Sequence, residues 1–401
     1  MAYLPLANIL HYKLRSVLSA LGIGIGICML VTLSGLARGT LNEIGDRWEA
    51  VDADLIVFPR EAKDSVVMLN GIGLPDQYLP KIAAQCPEYV QRIVPVFLAR
   101  VEMGGQGQTA VGVDSDQWQY LTGGRTLQEG RLFDPQGDFA KWIEERLSQA
   151  DIDPRRDLGP HGALEIVIDS RLAAKGERGR PYTVGQTVQF ASYDWKIVGI
   201  VPAGAMARVT MPRKTAQYLF GLGEINKSTM FFVKLKPGAD IDKAAAAIRK
   251  VGYSLDVVPL RQYRTMLQAQ WGVMLRYIDA VNALAMVIAF LFIMVTLYMM
   301  VLQRTREIAI LKSFGASNTF ILRQVLDEGL ILTCSGAAGG IALSYLAAWA
   351  VSKFAPLYTV TITWPWLTIA AGIAIAGAVI SSLYPAWRAS RVDMVEALTL
   401  E

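Results

Sequence analysis

Four stretches, residues 16–37, 280–302, 329–352 and 363–384, run apolar with no Asp, Glu, Lys, Arg or His. Each holds about 20 residues or more, roughly 30 Å of helix at ~1.5 Å per residue, the thickness of a bilayer's hydrocarbon core. The long interval between the first and second reads differently. Residues 53–58, 92–103, 109–113, 164–169, 187–190, 195–201, 229–235 and 255–258 are rich in β-branched or aromatic positions bounded by Gly, Pro and Asp, as strands are. Helices are predicted at 75–85, 213–220 and 241–251, the last capped by Asp240, and Gly104-Gly105-Gln106-Gly107 reads as a hairpin loop. At both ends the interval turns helical, 41–50 and 262–277, as stalks continuing the first two spans. The pattern predicts an α-helical membrane protein with four transmembrane helices plus a large mixed α/β extracytoplasmic domain between the first and second spans.

Composition agrees with a mixture. The 401 residues are 53% hydrophobic and 18% charged, too apolar for an ordinary soluble protein, yet the mean hydropathy of +0.32 is low for a chain that is membrane throughout. The position of the charges matters more than the net +4. Lys13 and Arg15 precede the first span, Arg304, Arg306, Lys312 and Arg323 lie between the second and third, and Arg388 and Arg391 follow the fourth. The opposite loop offers only Lys353. By the positive-inside rule the termini and the 303–328 loop are expected in the cytoplasm, with the first span retained. Trp349, Tyr358, Trp364 and Trp366 then mark the outer interface, and Tyr12, Tyr384 and Trp387 the inner one. Leu4, Leu6, Ile9, Leu10 and Leu14 suit a helix lying in the cytoplasmic interface ahead of the first span.

Catalytic chemistry finds little footing. Of three cysteines, Cys28 and Cys334 fall in apolar spans, and only Cys86 lies in the outer domain, where an impermeant thiol reagent is expected to reach it. The two histidines, His11 and His161, are expected on opposite sides of the membrane, which excludes a shared metal or triad site. Residues 221–228, GLGEINKS, miss the phosphate-binding loop because Asn226 stands where a glycine is required and a strand follows. Residues 134–161 read as a charged surface insertion. Spans without ionisable groups lack the usual marks of an ion path, so the bilayer part reads as packing surface. Gly22 with Gly26, Gly336 with Gly340, and Gly372 with Ala376 are candidate close-packing faces.

The loop between the second and third spans carries Ile308, Ile310, Leu311 and Phe314 against Arg304, Arg306, Glu307 and Lys312. Gly315 is placed to stop this short helix and Ser317 to cap the next. Such a helix has little to bury in its own chain, so its apolar side is expected to rest on lipid or fill a groove on a cytoplasmic protein.

The segment Arg304-Thr305-Arg306-Glu307-Ile308-Ala309-Ile310-Leu311-Lys312-Ser313-Phe314-Gly315-Ala316-Ser317 resembles the coupling-helix signature of permeases related to MacB, FtsX and the LolC/LolE lipoprotein-release subunits. The ending 384–398, the entry at 8–25, and Gly130-Arg131-Leu132-Phe133, Val184-Gly185-Gln186, 195–200 and 209–212 are similar to other parts of that family. The resemblance implies an interfacial helix and first transmembrane helix at 1–37, a periplasmic MacB-like domain with stalks at 38–276, and an FtsX-like domain at 277–401 with coupling helix 304–315. It implies a type VII ABC system, a mechanotransmitter in the bacterial inner membrane, which exports or extracts lipoproteins or amphiphiles. Two ATPase subunits, carrying the ATP and Mg, are expected to grip Arg304, Arg306, Glu307, Ile308, Leu311, Lys312, Phe314 and Gly315. A second permease copy, identical or paralogous, is implied, with an adaptor, lipoprotein or hydrolase outside, membrane lipid around it, and no nucleic acid. MacB itself carries an ATPase domain on the same chain, and none is present here, so a separate ATPase is expected and no enzyme activity in this chain. The alternative is an FtsX-like signalling permease that activates an extracytoplasmic hydrolase and transports nothing.

Overall fold

The computed structural model describes residues 13–60, 73–133, 164–177, 180–221, 226–355 and 357–391. The expected interfacial helix ahead of residue 13, the insertion at 134–161 and the tail beyond 391 lie outside the described residues. Two compact units emerge: Leu41–Trp271, and Met1–Thr40 with Gly272–Glu401.

Elements are numbered along the chain. Helix α1 (Lys13–Glu49) is followed by β1 (Leu55–Pro59), β2 (Leu74–Pro75), α2 (Tyr78–Gln85), β3 (Val90–Met103), β4 (Gln106–Val113), α3 (Trp118–Leu121) and β5 (Glu129–Gly130). Next come β6 (Glu165–Asp169), α4 (Ser170–Lys175), β7 (Thr187–Phe190), β8 (Tyr193–Val201), β9 (Val209–Pro212) and α5 (Arg213–Phe220). The outer unit closes with β10 (Lys227–Ser228), β11 (Met230–Leu235), α6 (Ile241–Val251) and β12 (Leu255–Pro259). Four helices complete the chain: α7 (Leu260–Gln303), α8 (Thr305–Ser313), α9 (Asn318–Phe354) and α10 (Trp364–Ser390).

The outer unit is a mixed sheet in the order β12-β1-β11-β3-β4-β9-β6-β8-β5, with β7 beside β8. Pairs β4/β9 and β6/β8 are parallel. Long β3 holds it together, pairing with β11 through its first half and β4 through its second. Side chains alternate between two cores, as a period of two requires. Ile56, Phe58, Met230 and Phe232 enter one core, whereas Leu55, Val57, Phe231 and Val233 enter the other, beneath α6. Each fully buried apolar side chain contributes about 1.5–3 kcal/mol, so a one-residue slip of β1 or β11 would be strongly resisted. The Asp240 cap is present: its carboxylate accepts from the amides of Asp242 and Lys243. The hairpin turn is Gly104-Gly105, both at positive φ, shorter than the expected loop because Gln106 and Gly107 already pair in β4. Pro75 joins β2, so α2 starts three residues later than expected.

In the other unit, α1, α7, α9 and α10 provide four helices long and apolar enough to cross a membrane. Glycines set their spacing. A Cβ on Gly22 would lie 3.2 Å from the Phe292 ring, and one on Gly26 3.3 Å from Ala289, both on α7. Gly24, between them, faces the other way, onto Gly336 and Gly340 of α9. A Cβ on Gly340 would stand 2.5 Å from the Gly24 carbonyl, so backbone meets backbone there. The expected Gly372–Ala376 face packs on no described part of this chain: nothing lies within 4 Å of Gly372, and both residues are exposed. Gly377 is the packed glycine of α10, lying against the Phe290 ring.

Candidate functional site

Helix α8 starts after Arg304, whose guanidinium anchors that end of the helix. It donates to Glu307 at 3.1 Å and to Glu328 of α9 at 3.1 Å. Glu328 is buried, so the second bond is charge-assisted and shielded from water. At the other end, Lys312 Nζ donates to the Ser390 carbonyl of α10 at 2.7 Å. Gly315 stops the helix at φ +90°, and Ser317 caps α9 by accepting from the Phe320 amide.

The eight residues expected on one partner-facing surface are divided by the structure. Ile308 is only 9% exposed and sits with Val301, Ile321, Val325, Ala386 and Ala389; Leu311 packs against the same cluster. The expectation that α8 has little to bury within its own chain is therefore corrected: α9 and α10 supply the apolar wall. Arg304, Ile308, Leu311 and Lys312 fasten the helix down. Arg306, Glu307, Phe314 and Gly315 are exposed, as is Ile310, and Phe314 stands 85% free. Sequence reasoning missed Glu328 and Ser390. The only signal for Glu328 was an acid one position before an apolar span.

The outer unit holds its two helical ends by a separate device. Arg47 of α1, nearly buried, donates to Glu43 at 2.8 Å, to Asp169 at 2.9 Å and to the Ala205 carbonyl at 3.0 Å. Asp169 is fully buried at the end of β6 and also caps α4 through the Leu172 amide. Arg171 reaches Glu43 at 2.8 Å, and Arg208 reaches it at 3.4 Å. Burial and neighbouring Arg47 lower the Arg208 pKa, opposed by Asp169 and Glu43. One residue along α1, the Trp48 ring lies 4.7 Å from that of Tyr263 on α7 and 6.0 Å from Phe232. Burial pushes the Tyr263 phenol up to about 12. Between the helix ends, Asp52 pairs with Lys234 at 3.0 Å and Arg92 at 2.7 Å. Burial opposes ionisation of Asp52, but the two cations outweigh it and hold the carboxyl below its ordinary range.

The family described as MacB-like periplasmic core domain matches residues 16–251, and that described as FtsX-like permease C-terminal matches 280–394. The chain belongs to the MacB/FtsX-like family of ABC transporter permeases. This permease is a multi-pass membrane protein with a mixed-sheet extracytoplasmic domain between its first and second spans. It is 22% identical over 410 residues to the macrolide export ATP-binding/permease protein MacB of Bdellovibrio bacteriovorus, covering 97% of this chain and 60% of that protein. It is 26% identical over 411 residues to the pyoverdine export ATP-binding/permease protein PvdT of Pseudomonas syringae pv. syringae, covering 97% and 57%. The permease thus spans about three fifths of the length of these relatives. With the uncharacterized ABC transporter permease YknZ of Bacillus subtilis it shares 22% identity over 421 residues, covering 99% of this chain and 98% of that one. Among solved structures, the periplasmic region of MacB from Actinobacillus actinomycetemcomitans aligns with 13% identity and a TM-score of 0.34, covering 55% of this chain and 95% of that chain.

Proposed function

We propose that the permease couples ATP hydrolysis on a partner to conformational change in its outer domain, for export or for extraction of a lipoprotein or amphiphile. Two ABC ATPase subunits, holding ATP and Mg, bind the exposed side of α8 in a complex with a second permease copy. The protein lies in the bacterial inner membrane, with both termini and the 303–328 loop in the cytoplasm. The positive charges flanking the spans support that orientation.

The observation that carries this reading is the two-sided construction of α8. One side is bonded to α9 and α10 through Arg304, Ile308 and Lys312. The other presents Phe314, the most exposed phenylalanine of the described residues, beside Arg306, Glu307 and Ile310. A projecting aromatic with charged neighbours is the kind of anchor that fills a pocket on a partner. A fastened base lets force applied at Phe314 reach the spans instead of melting the helix. The exporter names of MacB and PvdT favour a transported cargo over hydrolase activation.

Two variants test the contact: Phe314→Asp, and the charge reversal Arg306→Glu with Glu307→Lys. Both change exposed groups and should leave the permease folded. ATPase co-purification should fall at least about tenfold, a loss of ~1.4 kcal/mol or more. Undiminished capture and stimulated hydrolysis in both variants would remove the proposed contact. Stimulation by a lipid-modified protein or small amphiphile would identify transport; a bound periplasmic enzyme without such stimulation would identify signalling.

A further inference from the structure

The last turns of α10 carry a feature that the ATPase contact does not use. Tyr384, Trp387 and Arg388 are exposed there. Tyr298 of α7 adjoins them, with its ring 5.9 Å from Tyr384, which is 6.4 Å from Trp387. The guanidinium of Arg391 lies over the Trp387 ring, 4.5 Å from its centroid. Rings from two helices therefore form one ledge, bordered by two arginines. Among the described residues, neither arginine is paired with a carboxylate.

Placement says what the ledge meets. The uninterrupted apolar run of α10 ends at Tyr384, and charge begins at Arg388. Tyrosine and tryptophan at such a boundary sit at headgroup level, and arginine stems lie along the apolar surface while their heads reach the phosphates. A guanidinium offers paired donors matched to phosphate oxygens. An ordinary aromatic belt holds zwitterionic and anionic lipids alike; two arginines on one ledge, with no carboxylate partner among the described residues, favour net negative charge.

We propose that this ledge binds an anionic phospholipid, with Arg388 and Arg391 on the phosphodiester and Trp387, Tyr384 and Tyr298 against the glycerol and upper acyl chains. The inference rests on the orientation proposed above, which puts this end of α10 in the cytoplasmic leaflet. It also bears on the site already described. Ser390, the neighbour of Arg391, accepts the Lys312 bond, so headgroup and α8 meet on the same helical turn. Lipid occupancy would steady the base against which the ATPase pulls.

Native mass spectrometry of the full chain in detergent, with phosphatidylglycerol, phosphatidylcholine or inorganic phosphate added separately, tests the site. The wild type should retain phosphatidylglycerol in preference to phosphatidylcholine. Arg388→Gln and Arg391→Gln should each weaken that retention about fivefold, the size of one basic residue's attraction to an anionic surface. Lys353→Gln, in the last turn of α9 at its other end, should not weaken it, and unchanged melting in detergent would show that all three variants are folded. Equal retention of both lipids, or undiminished retention in the double arginine variant, overturns the proposal. Displacement of the lipid by inorganic phosphate with the same arginine dependence overturns it in favour of a free anion. Binding in detergent does not depend on orientation, and impermeant-reagent labelling of Tyr253→Cys in intact cells reads orientation alone, so the two failures can be told apart.

Discussion

Lys312 and Ser390 are joined by a 2.7 Å hydrogen bond between an ammonium and a backbone carbonyl, across 78 residues of sequence. The bond ties the end of the connecting helix α8 to the last turn of α10. Arg304 and Glu328 do the same for the beginning of α8 against α9.

That anchorage separates two arginines only two positions apart. Arg304→Met removes the guanidinium that bonds the buried Glu328 carboxylate and should cost about 1.5–3 kcal/mol, the range of a hydrogen bond to a charged group. Arg306→Met alters an exposed side chain and should change stability by no more than ~0.5 kcal/mol. Thermal unfolding of the full chain in detergent compares them; equal melting temperatures would dismiss the buried pair as an anchor.

Helix spacing gives a second contrast. Gly340→Ala puts a methyl group against the Gly24 backbone, where no side chain can yield, and should cost about 1–3 kcal/mol. Gly372→Ala meets nothing within 4 Å and should be neutral or slightly stabilising through helix propensity. Gly22→Leu should fall on the damaging side, because the Phe292 ring must move. Detergent melting that ranks Gly372→Ala as the worst of the three would contradict this spacing.

In the outer domain, Arg47→Met removes the nearer of two cations shared by Glu43 and the fully buried Asp169, Arg208 being the other. The expected cost is about 1.5–3 kcal/mol, the range of a hydrogen bond to a charged group, against less than ~1 kcal/mol for Arg171→Met, whose side chain is partly in water. Hydrogen exchange at the end of α1 should accelerate only in the first variant. Comparable protection in both would show the network to be incidental.

Tyr263 predicts an alkaline limb. Its folded pKa of about 12 lies above the ordinary phenol value of ~10, so the unfolded chain releases this proton first as pH rises. Its contribution is complete below pH ~10 and is lost progressively between ~10 and about 12. Over that window the wild type should lose roughly 2–3 kcal/mol more than Tyr263→Phe. Parallel stability curves for the two proteins would contradict this.

Topology needs a different reporter from the native thiol. Cys86 was expected to be reachable in the outer domain, but it is buried beside Ile82 and Val90 in the core under α6. Tyr253, 94% exposed, is the better position. Tyr253→Cys should react with an impermeant maleimide in intact cells, and labelling confined to lysed cells would invert the proposed orientation.

Local pattern made much of this architecture legible. Short β-branched and aromatic runs placed β1 and β11, a carboxylate before an alanine-rich run placed α6, and uninterrupted apolar runs placed the four long helices. Strand β9 is only four residues long and ends in proline, so nothing local distinguished it; its pairing with β4 and β6 makes it a strand. The connecting helix was legible as an amphipathic segment, but its buried side was assigned to a partner. Its actual wall comes from Ile321, Val325, Ala386 and Ala389, and no periodicity within α8 points to residues so distant. The glycines show the same limit. Gly22 and Gly26 announced a close-packing face, but only the folded helices show that Gly24, between them, serves a second neighbour.

The outer domain receives the chain and gives it back at one place: the Leu260 amide donates to the Asp54 carbonyl at 2.9 Å, next to the Trp48–Tyr263 ring pair. A domain whose entrance and exit touch behaves as a cassette. Chimeras cut at those two residues would carry a foreign outer domain on the same membrane helices, and recombination at two points would exchange the domain while leaving the spans unchanged.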